Sequence, residues 1–152
     1  MKNCTNRGEI RNNAASYGTA GIVGWIRYNG ATKDYPVKNV IEVTGNTNYG
    51  KVSGGNDAGG IVGTVYNLGK VNDNKNFAPS LQAATFAAGI VGNAQFTETA
   101  VGLESLPNSV EVKNNVSTTT LDQMTVNGAC KDLFVYINNQ EYVTTENNRT
   151  AE

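Results

Sequence analysis

Two glutamates occupy matching places in this chain, Glu42 in Asn39-Val40-Ile41-Glu42-Val43 and Glu111 in Asn108-Ser109-Val110-Glu111-Val112. A pair of carboxylates brought together can cleave a glycosidic bond, one protonating the leaving oxygen while the other activates water or attacks the sugar. Here the intervening repeat lacks the segment, and each Glu alternates with apolar neighbours, so both read as solvated carboxylates on the outer face of a strand. Histidine is absent. That excludes Ser-His-Asp and Cys-His nucleophilic catalysis and the usual zinc ligand sets. Cys4 and Cys130 are too few for a four-cysteine zinc site and fall in the first and last parts of the repeat array, so they are expected to be free thiols. Gly54-Gly55-Asn56-Asp57-Ala58-Gly59-Gly60 and the run Asn72-Asp73-Asn74 with Asn76 offer oxygen atoms, but calcium needs about 6–8 of them. Neither cluster repeats its acid in the next unit, so both read as turns. No metal and no cofactor is expected.

The remaining candidates are aromatic. Trp25, Tyr28 and Tyr35 lie beside or within a polar stretch, and Arg27 and Tyr66 fall in one column of the repeat alignment. Aromatic faces next to polar loops can stack on sugar rings, which makes Trp25, Arg27, Tyr28, Tyr35 and Tyr66 the candidate ligand-binding set. The competing structural reading is that these rings pack the stretch onto an outward Val23, Val62, Val91 column, which would otherwise be an exposed apolar patch. The net charge is −1, from 12 basic and 13 acidic residues. Without a basic run, nucleic acid and anionic membrane are not expected as partners. No apolar stretch approaches the roughly 20 residues of a membrane-spanning helix, so no membrane insertion is expected in this segment.

These residues are set out by an internal repeat. Ala-Gly-Ile-Val-Gly occurs as Ala20 to Gly24, again from Gly59 to Gly63 after Ala58 with one additional Gly, and as Ala88 to Gly92. An Asn-rich phrase precedes each copy, with Cys4, Asn46, Asn74 and Asn115 as equivalent positions. Their spacings of 42, 28 and 41 residues imply a unit of 28 that twice carries extra residues. The extras run from Arg27 to Asn39 and from Phe96 to Asn108, both in the slot after Gly-Ile-Val-Gly, as expected of loops on one side of a solenoid. Short β-branched runs between Asn, Gly and Thr specify strands and turns. Period-2 alternation places Ile22, Gly24 and Ile26 inward, with Ile61, Gly63, Val65 and Ile90, Gly92, Ala94 as their equivalents. Opposite them stack the Val column, then Trp25, Thr64, Asn93, then Arg27, Tyr66, Gln95. The recurrent Asn should form amide ladders from coil to coil.

The fold expected is therefore all-β, a parallel β-helix (β-solenoid) of about four coils spanning residues 1–120, with a C-terminal β-hairpin cap and tail in residues 121–152. The hairpin is read from Leu133 to Val143 around Asn138-Asn139, and Glu146 to Glu152 should fray. The chain opens in mid-repeat, which suggests a segment of a longer parent begun by an added Met1.

Asn-Cys-Thr-Asn-Arg-Gly-Glu-Ile at residues 3–10, followed by Ala-Gly-Ile-Val-Gly, resembles the repeats, including the GLUG motif, of large cell-surface proteins of gut and mucosal bacteria. Adhesin-like proteins and the non-catalytic regions of immunoglobulin A peptidases are among them. The resemblance covers roughly residues 2–117. It implies a parallel β-solenoid outside the cell, a non-enzymatic stalk or adhesin segment contacting a host or bacterial surface protein or a glycan, with adjacent domains in the parent chain. The alternatives are a carbohydrate-binding module and a carbohydrate-active β-helix enzyme.

Overall fold

The computed structural model describes residues 1–14, 17–27, 40–95, 110–134 and 143–151. Apart from Arg27, the expected inserts, and with them Tyr28 and Tyr35, lie outside the described residues. The first coil holds β1 (Thr5–Asn6), β2 (Ile10–Asn12), β3 (Gly18–Ala20) and β4 (Val23–Arg27). The second adds β5 (Glu42–Thr44), β6 (Thr47–Asn48), β7 (Val52–Gly54), β8 (Asp57–Gly59) and β9 (Val62–Tyr66). The third runs through β10 (Gly69–Asn72), β11 (Lys75–Asn76), β12 (Leu81–Ala83), β13 (Phe86–Ala88) and β14 (Val91–Gln95). The fourth has β15 (Val110–Lys113), β16 (Val116–Ser117), a 3-10 turn at Leu121–Gln123, β17 (Met124–Val126) and β18 (Ala129–Lys131). A further turn begins with β19 (Val143–Glu146) and β20 (Arg149–Thr150).

Equivalent strands stack into five sheets, β5-β10-β15-β19, β1-β6-β11-β16-β20, β2-β7-β12-β17, β3-β8-β13-β18 and β4-β9-β14. Every pairing is parallel. The chain is a parallel β-solenoid.

Register follows from side chains that want the same neighbour. Val43, Val71 and Val112 are cross-strand partners in the first sheet and are buried together with Ile26, Ile61, Val65, Ile90 and Ala94. A second cluster, from Val52, Ala58, Leu81, Ala87 and Met124, fills the other end of the cross-section. A one-residue slip in any strand would turn these columns outward.

Between the clusters stand the asparagines. Asn46, Asn74 and Asn115 have no exposed surface, which is costly for an amide unless every hydrogen and lone pair is used. Asn74 uses them all. Its Nδ2 donates to Asn115 Oδ1 and to the Val43 carbonyl, both at 2.9 Å, and its backbone N–H donates to Asn115 Oδ1 at 2.9 Å. Its own Oδ1 accepts from the N–H and Nδ2 of Asn46. Cys4 joins at one end through its N–H to Asn46 Oδ1, 2.9 Å, and Asn148 at the other, accepting from the Asn115 N–H and Nδ2 at 3.1 and 2.8 Å. A second column runs from Asn6 to Asn48 to Asn76, at 2.9 and 3.0 Å, and on to Ser117 and Thr119. The residue before each ladder position makes the corner. Asn3, Gly45, Asp73, Asn114 and Asn147 all have φ between 53° and 68°, the left-handed region that Asn, Asp and Gly tolerate. The left-handed residue is thus the neighbour of the ladder asparagine, while the ladder asparagine itself faces inward.

Glycine is needed where the coil corner meets the ladder. A Cβ on Gly60 would lie 2.2 Å from Asn76 Cγ and 2.2 Å from the Gly89 carbonyl oxygen, which leaves no room for any side chain.

The stack also runs past Leu121, where the repeat was expected to dissolve. Met124–Val126 pair with Leu81–Ala83, and Ala129–Lys131 with Phe86–Ala88. The turn of the expected hairpin falls on residues outside those described. On either side of it, Phe134 bridges Val91 in parallel and Val143–Glu146 pair in parallel with Val110–Lys113. Residues 146–150, expected to fray, extend two sheets and carry the ladder residue Asn148. Their repeat identity was hidden because one Asn pair, in Glu146-Asn147-Asn148-Arg149, is all that survives of the phrase.

Replacing Asn74 by Ala takes the Oδ1 acceptor from the Asn46 N–H and Nδ2 and the Nδ2 donor from the Val43 carbonyl, while the backbone N–H still meets Asn115 Oδ1, and should cost about 3 kcal/mol or more at ~1–3 kcal/mol per stranded buried group. Asn114→Gly, which keeps the left-handed corner and removes an exposed amide, should stay within ~0.5 kcal/mol. Urea unfolding of both variants measures the difference, and equal losses would contradict the ladder's role.

Candidate functional site

The last sheet, β4-β9-β14, aligns Trp25 with Thr64 and Asn93, and Arg27 with Tyr66 and Gln95. These are the columns that the alternation predicted. The Val column differs from expectation. Val62 and Val91 have no exposed surface and belong to the same buried cluster as Val65 and Ile90, so no outer Val stripe awaits a cover. The cause is the close approach of the neighbouring sheet β3-β8-β13. A Cβ on Gly63 would sit 2.5 Å from the Gly24 carbonyl oxygen and 2.6 Å from the Gly18 backbone. The glycines let the two sheets lie backbone on backbone, and Asp57 of β8 reaches Thr64 of β9, accepting its hydroxyl hydrogen at 2.8 Å. Asn93 Nδ2 donates to the same carboxylate oxygen at 3.0 Å.

That packing also creates the site. Gly21 and Ile22 form the corner between β3 and β4, so Tyr17, just before β3, returns beside Trp25. The two rings stack with centroids 5.1 Å apart and planes 23° from parallel. The Arg27 guanidinium lies 4.8 Å from the Trp25 ring centroid and 5.9 Å from that of Tyr66. Tyr17, Trp25, Arg27, Thr64, Tyr66 and Gln95 line a cleft of about 170 Å³. Trp25 is 38% and Tyr17 56% exposed, which is unusual for rings of that size. Three of the five residues singled out from the sequence, Trp25, Arg27 and Tyr66, therefore converge, while Tyr28 and Tyr35 lie outside the described residues. Tyr17 was missed. Its signal was its place, four residues before the Gly21 corner, with Trp25 four residues after it.

A second aromatic group has a different origin. Tyr49 and Phe77 stack at 5.2 Å, with Arg7 4.6 Å over Tyr49. These three follow equivalent asparagines in successive coils, so the ~4.8 Å strand spacing alone brings them together. Tyr17 and Trp25 belong to one coil and to different sheets, and coil spacing does not account for their contact.

The carboxylate pair is held apart. Lys70 is the register partner of both Glu42 and Glu111 and stands between them. Glu42 pairs with Lys2 at 2.9 Å. Glu111 accepts a hydrogen bond from Asn72 and pairs with Lys113 at 3.3 Å, and Lys113 also meets Glu146 at 3.5 Å. The hydrogen bonds from Lys2 to Glu42 and from Asn72 to Glu111 hold both carboxyls below the usual glutamate range. A general acid requires the opposite shift. The oxygen-rich runs are also occupied internally. Asp57 binds Thr64 and Asn93, Asn74 and Asn76 lie in the ladders, and Asp73 accepts from Asn114 at 3.2 Å. Among the described residues no group of three or more acids and cysteines could hold a metal ion. Cys4 and Cys130 are free thiols.

No family model, curated protein or solved structure matches the chain.

The Glu111 shift fixes the sign of one pH effect. Its folded pKa is lowered, so its stabilisation is fully present above the unfolded value of about 4.3 and is lost as pH falls through the folded value. Glu111→Gln should therefore flatten the loss of thermal stability between about pH 5 and pH 3. A melting series over that range checks it, and an unchanged slope would mean that the Asn72 and Lys113 contacts do not form in solution.

Proposed function

We propose that this chain is a non-catalytic, extracellular β-solenoid module of a bacterial surface protein, an adhesin segment that recognises a glycan at the Trp25 cleft. The observation that carries the reading is the Tyr17–Trp25 stack beside Arg27, exposed on a sheet whose backbone is fixed by the coils beneath it. Exposed aromatic faces with polar groups at their edge suit a sugar ring, which has an apolar face of C–H bonds and a rim of hydroxyls. Arg27 and Gln95 supply that rim. The resemblance of residues 2–117 to bacterial surface repeats supports the extracellular setting. The lowered, cation-paired glutamates speak for binding without hydrolysis.

The alternative role, a spacer with no ligand of its own, is separated by experiment. A glycan array probed with the purified chain should show selective binding, reduced at least about tenfold (~1.4 kcal/mol) in Trp25→Ala, whose circular dichroism should show the fold retained because Trp25 belongs to neither buried cluster. Absence of binding across the array would leave the spacer role.

A further inference from the structure

Resting on that reading, we infer that the cleft selects an acidic sugar, one whose carboxylate is held by Arg27. Arg27 is placed for this by what surrounds it. Its guanidinium packs against two aromatic rings, Trp25 at 4.8 Å and Tyr66 at 5.9 Å. Among the described residues no hydrogen bond or ion pair takes its N–H groups, and the guanidinium fork matches the two oxygens of a carboxylate. The rings also hold the long side chain in place, which lowers the entropy lost on binding.

Among the described residues Arg27 makes no ion pair, and no Asp or Glu stands among the six residues lining the cleft. Asp57, the acid bonded to Thr64, lies behind it, 3% exposed, with Thr64 and Asn93 both donating to it. The same bond turns the Thr64 hydroxyl inward, and Thr64 is itself buried. The cleft thus offers a cationic donor edge at Arg27 and an amide at Gln95, next to the open Tyr17–Trp25 face. A hydroxyl-bearing ring with one carboxylate answers all three. The volume of about 170 Å³ is below the roughly 300–1,000 Å³ of sites for larger ligands, so the site takes one such ring, a uronic or a sialic acid unit, and leaves the rest of the glycan outside.

Two matched pairs of probes test this on the unmodified full chain by calorimetry or plate binding: sialyllactose against lactose, and an oligogalacturonate against its methyl ester. At least one acidic member should bind at least tenfold more tightly than its neutral partner, and which pair responds tells the two sources of carboxylate apart. Arg27→Lys, which keeps the charge and loses the fork, should remove most of that preference. Equal binding of acidic and neutral partners, still lost in Trp25→Ala, would overturn the acid assignment and leave glycan recognition standing. If neither these probes nor the array bind, glycan recognition falls and the acid assignment with it. Binding of the acids that persists in Arg27→Ala would place the carboxylate elsewhere and overturn the role given to Arg27.

Discussion

The buried asparagine amide is the constraint on which the rest of the molecule depends. A primary amide has two donors and two acceptor lone pairs, and inside a protein each must be met. In a parallel stack the partner that meets them is the same amide one coil away, and only if the coils are in register. Asn46, Asn74 and Asn115 satisfy this condition together with the backbone of adjoining coils. Apolar burial supplies most of the drive to collapse but tolerates some sliding, whereas a half-satisfied amide column does not. The ladders therefore choose one register among those that the Val, Ile and Ala columns would permit.

From that register the other features follow in turn. The ladder fixes each corner, so the left-handed residue always precedes the ladder position, at Asn3, Gly45, Asp73, Asn114 and Asn147. Fixed corners leave no slack in the coil, and glycines at positions such as Gly60 and Gly63 allow backbone to meet amide or backbone directly. The close contact of the sheets β3-β8-β13 and β4-β9-β14 buries Val62 and Val91 and turns Tyr17 back upon Trp25. The cleft is thus a consequence of backbone-on-backbone packing between these sheets. Its residues stand on short strands of one sheet, with Trp25 and Arg27 on the edge strand β4 in register with β9, and regular strands support recognition better than loops do.

Much of this was legible in the residues. Spacing of the Asn phrases and of Gly-Ile-Val-Gly specified the solenoid, the ladders and the two columns that carry Trp25 and, together, Arg27 and Tyr66. Three things were hidden. Alternation along one strand cannot say that a second sheet covers its outer face, so the Val column appeared exposed. A contact between residues of one coil on two sheets, such as Tyr17 with Trp25, depends on the corner geometry and leaves no periodic mark. The last coil keeps the pairing while losing the motif, because Thr145 can stand where Val112 stands and Asn148 alone continues the ladder. Backbone hydrogen bonds are indifferent to side chains, so a coil can persist after its sequence signature has gone.

The most direct test of the ladder is amide hydrogen exchange resolved by residue. The backbone N–H groups of Asn46, Asn74 and Asn115 donate to side-chain oxygens of the next coil, outside the β-sheet pairing, and lie at corners where a simple turn would exchange quickly. If the ladders hold the coils in register, these amides exchange as slowly as those of Val43, Val71 and Val112 in the core strands. Exchange at the rate of exposed turn amides such as that of Asn127 would show that the corners open independently of the sheets, and that the asparagines do not set the register.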